Sequence, residues 1–179
     1  MKIGYFISFV FSLLLLSCTS EPTLQRYFVD NSEKKEFISV DVSSSILNVD
    51  KSKLNLEEKN ALAAFDKMNI IAFKIDSAKT NTKEFEQETA KVKAILKGKE
   101  YQELMKVGSG NNAASISFVG DEHHINEFVI YAKSKEAGFT LVRILGNDMN
   151  PNNIMSLLSI MKNANVDMEQ LKPLEGLMK

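Results

Sequence analysis

The 179-residue chain holds one cysteine, two histidines, three prolines and no tryptophan. A lone cysteine has no partner for an intramolecular disulfide, so the fold must hold by core packing alone. It also excludes CxxC redox pairs and thiolate zinc sites. Carbohydrate sites often stack sugars on indole rings, and the missing tryptophan counts against one. Neither sign of charge dominates: 22 basic residues stand against 23 acidic, a formal net charge of −1. No basic block stands out in the sequence, so nucleic acid is not an expected partner. What is present is ordinary for a globule, 44% apolar and 25% charged, and enough chain for one domain with a sizeable core.

The most specific stretch is the N-terminus. After Lys2 comes an apolar run from position 3 to 16 that ends in Ser17-Cys18. A positive start, an apolar middle and a small residue before a cut make a secretory signal. The run is shorter than the ~20 residues a membrane span needs. Leu15-Leu16-Ser17-Cys18 resembles the lipobox of bacterial lipoproteins. That resemblance implies cleavage between Ser17 and Cys18, with lipid on the Cys18 sulfur. Two or three acyl chains on one residue hold a protein on a bilayer, where a single chain does so only marginally. The expected organisation is a signal peptide over 1–17, a polar tether over 18–36, within which Tyr27-Phe28-Val29 can dock on the domain, and one domain over 37–179. Thr19 follows Cys18 where an inner-membrane retention signal would have Asp. By analogy the expected address is the outer membrane, facing the periplasm.

Along the chain, Ile38, Val40 and Val42 alternate into a strand. Asn55 and Glu58 form a capping box that opens a helix carrying Leu62, Phe65 and Met68. Residues 70–75 are apolar enough for a central strand, and strand, helix, strand suggests a crossover unit. Asn81 and Glu84 read as a second capping box. Phe85, Val92 and Leu96 recur at helical spacing, and Glu84, Glu86 and Glu88 belong to a solvated face. Residues 101–107 read as a helical turn or strand lead-in. Alternation at Ala114, Ile116 and Phe118, then residues 125–131 and 139–145, gives three strands of an antiparallel meander, the last stopped by Gly146. Asn150-Pro151 opens a helix with Ile154, Leu157, Leu158 and Met161 on one stripe. Leu171, Leu174, Leu177 and Met178 suit a packed C-terminal segment. The expected fold is α+β: a mainly antiparallel sheet of about five strands with helices packed on one face, loosely ferredoxin-like.

The lipobox, Ile38-Ser39-Val40-Asp41-Val42, Tyr101-Gln102-Glu103-Leu104-Met105 and residues 146–151 (Gly-Asn-Asp-Met-Asn-Pro) together resemble domain of unknown function 4252, a family of uncharacterised Bacteroidetes lipoproteins. The resemblance implies a fold and an address. It carries no activity, and so no catalytic residue.

Candidate chemistry is sparse. Asp121-Glu122-His123-His124 is the single cluster of metal-ligand types, but neighbours in a turn point apart, so it reads as a solvated hairpin. Gly108-Ser109-Gly110-Asn111-Asn112 lacks the Lys-Ser/Thr of a P-loop and reads as a connector. Met149, Met155, Met161, Met168 and Met178 suit core filling better than soft-metal binding. No metal, no cofactor and no catalytic residue is assigned. The expectation is a non-catalytic envelope lipoprotein, held to the membrane through lipid on Cys18, that binds or supports an envelope protein. The alternatives are a small-ligand binder or weak hydrolase with its site between sheet and helices, and a component of an envelope-stress sensor.

Overall fold

The computed structural model describes residues 22–46, 49–76, 78 and 80–163. Residues 1–17, expected to be a signal peptide, Cys18 and the C-terminal segment with Leu171, Leu174, Leu177 and Met178 lie outside them. Four helices, α1 (Leu24–Asn31), α2 (Leu56–Ala64), α3 (Thr82–Ile95) and α4 (Pro151–Asn163), accompany six strands. The strands are β1 (Phe37–Ser43), β2 (Phe65–Lys74), β3 (Gln102–Ser109), β4 (Asn112–Asp121), β5 (His124–Ser134) and β6 (Gly138–Met149). They form one antiparallel sheet in the order β1-β2-β6-β5-β4-β3.

The sheet is apolar on both sides, because successive side chains of a strand point to opposite faces. On β2, Ile71 and Phe73 join one core with Phe139, Leu141, Val129 and Tyr131, while Met68 and Ile70 join another with Ile144 and Phe128. Helices α1 and α3 cover the first face, and α2 and α4 the second. The expectation of helices on one face is corrected: with β2 apolar at both parities, one covered face would leave the other wet.

Several local readings change for identifiable reasons. The sheet has six strands, because residues 102–109 pair with β4 as an edge strand. Every side chain described on β3 is exposed, so burial periodicity carried no signal there. Strands β1 and β2 are antiparallel neighbours and not a crossover. The crossover is β2–α3–β3, whose strands run parallel, four antiparallel steps apart. Helix α2 keeps the Asn55–Glu58 capping box, with bonds of 2.8 and 3.0 Å, but ends at Ala64. Phe65 and Met68 belong to β2, where a register shift between Phe65 and Lys67 marks a bulge. One extra residue puts positions i and i+3 on the same face, which imitates helical spacing. The Asn81 cap does not form. Its side chain instead accepts from the Asp76 N–H and donates to the Lys74 carbonyl. Strand β6 runs on through Gly146, where an added Cβ would sit 2.0 Å from the Ala64 carbonyl oxygen. On α4, Ile154, Leu157 and Ile160 are buried and Leu158 is exposed.

The tether over 18–36 is also corrected, since its described part carries α1. Thr23 caps the helix by accepting from the Arg26 N–H. Leu24, Tyr27, Phe28 and Asn31 fall at i, i+3, i+4 and i+7, all buried. The Tyr27 hydroxyl donates to Glu88 of α3 at 2.9 Å, and Lys91 meets the other Glu88 oxygen at 2.7 Å. Glu88 is therefore buried and bonded, not solvated. Burial, then the Glu88 charge, raises the Tyr27 phenol far above its usual range.

Docking of α1 predicts that Leu24→Ala lowers stability by about 2–5 kcal/mol, the usual loss for truncating a buried leucine. Val29→Ala, on the exposed side of the same helix, stays within about 0.5 kcal/mol of the parent. Urea unfolding of the two variants checks this, and equal effects would return α1 to the tether.

Candidate binding cleft

The face covered by α1 and α3 is not covered evenly. One register row runs Ser39, Ile71, Leu141, Tyr131, Ser115, Lys106 from β1 to β3. Its neighbour runs Phe37, Phe73, Phe139, Lys133, Ala113, Gly108. Both rows pass from large apolar side chains under the helices to small ones on β4. Beyond α3 the sheet therefore steps down into an open cleft of about 490 Å³ between the end of that helix and the β3–β4 hairpin. Ala113, Ser115 and Ser117 form its floor, and Leu96 and Tyr101 stand on one wall.

The cleft is basic. Lys93, Lys97, Lys106 and Lys133 line it against a single carboxylate, Glu103, which pairs with Lys106 at 3.6 Å. A second hollow of about 300 Å³ continues it along α3, sharing Lys93 and Lys133 and adding Lys135 and the carboxylate Glu86. So many cations together are notable in a chain of net charge −1. Burial, then the neighbouring Lys93 ammonium, lowers the affinity of Lys133 for its proton. Tyr131 lies beneath, and its hydroxyl and that of Thr89 are buried close to one another without hydrogen-bonding geometry.

Beside the cleft, Arg143 and Glu127 form a buried, two-bond ion pair at 2.9 and 2.8 Å. The Phe28 ring of α1 lies over the guanidinium. Burial alone would lower the Arg143 pKa, and the Glu127 hydrogen bonds and charge more than reverse this. Tyr101 is pushed up to about 12 by burial and then by the Glu127 charge. This pair was not singled out in the sequence, because Glu127 and Arg143 alternate with apolar residues as solvent-facing positions do.

The Asp121–His124 cluster is a hairpin turn, as expected. Asp121 accepts from the backbone N–H groups of His123 and His124, and the first of these bonds lowers its pKa most. The fold adds Asp148, whose carboxylate meets His124 Nδ1 at 2.9 Å. Asp148 sits in the left-handed region at φ 51°. Among the described residues no group of three or more His, Cys, Asp or Glu converges for a metal ion. Gly108 and Gly110 of the β3–β4 hairpin line the basic cleft. Of the methionines, Met149 is fully buried and Met155 exposed, while Met168 and Met178 lie outside the described residues. Asn150 caps α4 by accepting from the Asn152 N–H.

The family described as a domain of unknown function, DUF4252, matches residues 27–157. The chain belongs to the DUF4252 family. The match begins inside α1 and ends inside α4, so it takes in the whole sheet and the cleft. No curated protein and no solved structure matches the chain. Among the described residues no helix is long and apolar enough to cross a membrane.

Two outcomes follow from the polar contacts. Glu127→Ala strands a buried guanidinium and lowers stability by about 3–5 kcal/mol, whereas Glu127→Leu with Arg143→Met stays within about 1 kcal/mol of the parent. Denaturant unfolding tests both, and a pair worse than the single change would contradict this account. For His124, the Asp148 hydrogen bond and then the Asp121 charge raise the pKa above its ordinary value. The stability this contact supplies is present in acid and fades as pH rises through the raised midpoint. An NMR titration of Asp148→Asn should show the His124 midpoint moving down, and an unmoved midpoint would remove the contact.

Proposed function

We propose that this DUF4252 chain is a lipid-anchored, non-catalytic binding module of the bacterial envelope, with the basic cleft as its binding site. One observation carries the binding part of this reading. Four lysines converge over a floor of small residues on paired strands, which gives a fixed site of net positive charge. The anchoring part rests on the sequence, where an apolar run leads into Leu15-Leu16-Ser17-Cys18. We place the protein at the outer membrane on the periplasmic side, on the strength of Thr19 after Cys18 and of Glu21 as the sole acidic residue near the anchor. The occupant of the cleft is an anion or an acidic face of an envelope protein. In fold terms we infer a loose ferredoxin-like kinship, supported by the single β2–α3–β3 crossover of an antiparallel sheet.

Fractionation of cells making the native protein or Cys18→Ser tests the anchor. The native protein is expected in the membrane fraction and the variant outside it. Protease added to intact cells should leave the native protein whole if it faces the periplasm. A variant that stays with the membrane overturns the lipid anchor, and digestion in intact cells overturns the periplasmic placement.

A further inference from the structure

We propose that the lysine-lined cleft holds the phosphate headgroup of an anionic lipid in the membrane that anchors the chain. This rests on the anchoring reading above and adds the ligand to it. The leash is short. Because α1 begins at Leu24 and packs into the core, the span from Cys18 to the folded domain is far shorter than a tether ending at residue 36. Pro22 and Thr23 already line one hollow with Ala94 and Ile95 of α3. Four peptide steps separate Pro22 from Cys18, and at full extension they reach about 14 Å.

The point where the leash leaves the domain adjoins the cleft. Tyr101, on the cleft wall, packs against the core that holds Leu24 and lies beside the Leu24 backbone. The end of α3 that shares this hollow with Thr23 continues directly into Leu96 and Lys97, which line the cleft. A leash of that length keeps this end of the molecule near the headgroups, where surface charge is felt over a Debye length of about 8 Å.

The chemistry of the cleft suits a headgroup. Among the described residues, no carboxylate pairs with Lys93, Lys97 or Lys133. Lys93 and Lys133 face one another as like charges, and an anion between them would offset that repulsion. Leu96 and Tyr101 offer an apolar edge for the glycerol end of a lipid. The lysine stems can lie along apolar surface while their ammonium ends meet phosphate.

Lysine footprinting on the native, acylated protein tests this. The protein is purified from membranes and reconstituted in vesicles of phosphatidylcholine alone or mixed with phosphatidylglycerol. Brief acetylation followed by mass spectrometry reads each lysine. Lys93, Lys97, Lys106 and Lys133 should react several-fold more slowly with phosphatidylglycerol present, while Lys59 of α2, on the opposite face, is unchanged. In Lys93→Gln with Lys133→Gln, shown folded by circular dichroism, the protection of Lys97 and Lys106 should disappear. No protection, protection of Lys59 as well, or protection that survives the double change overturns the proposal. Equal protection by inorganic phosphate added to phosphatidylcholine vesicles makes this a free-phosphate site and overturns the lipid assignment. The mass of the Cys18 peptide separates the two readings. Without acyl chains both fall, whereas an acylated protein with unprotected lysines removes this one alone.

Discussion

A sheet that is apolar on both faces is the constraint from which the rest of the structure follows. β2 carries Ile71 and Phe73 toward one side and Met68 and Ile70 toward the other. Each fully buried side chain of that size contributes about 1.5–3 kcal/mol relative to exposure, so neither face can be left to water. The second face takes α2 and α4, tied by Ser159 to Glu58. The first takes α3, and it also recruits α1 from a segment of polar appearance. With no disulfide possible between a pair of cysteines, this double layer is what holds the domain.

Polar contacts orient the layers. Tyr27 and Glu88 fix α1 against α3, and Arg143 and Glu127 fill the space beneath α1 with a charge pair that has its own partners. The aromatic group of Phe37, Phe73 and Phe139 packs between them, with Phe73 and Phe139 stacked at 5.7 Å. Where those rings stop and β4 turns to alanine and serine, the helix layer has nothing large to rest on. The cleft is thus the place where the packing of the first face runs out, and the lysines gather at that margin.

Much of this was legible in the residues and some was not, for physical reasons. Alternation in β1 and β4, the apolar stretches of β5 and β6 and the Asn55 capping box are legible, because local chemistry decides them. The β3 strand was missed because an edge strand exposed on both sides has no burial pattern. The bulge at Phe65 disguised a strand as the tail of a helix. Docking at Tyr27 and Phe28 is legible, but helix α1 itself is not, because its fourth buried position is Asn31, which donates to the Tyr27 carbonyl at 2.7 Å. The cleft had a faint signal: Ala113, Ser115 and Ser117 are all small at the parity opposite Ile116 and Phe118. Its lysines lie on α3, the turn after it, β3 and β5, so only the fold assembles them.

The strand order also bears on how the chain can be made. β2 sits between β1 and β6, yet β6 is the last strand synthesised, so Ile70 must wait for Val142 before the centre of the sheet closes. The first half of the chain can form at most the β1–β2 hairpin and loose helices, and a lone hairpin is marginally stable in water. The centre of the sheet therefore stays open until the final strand is available, and the β2–β6 seam is the last to close.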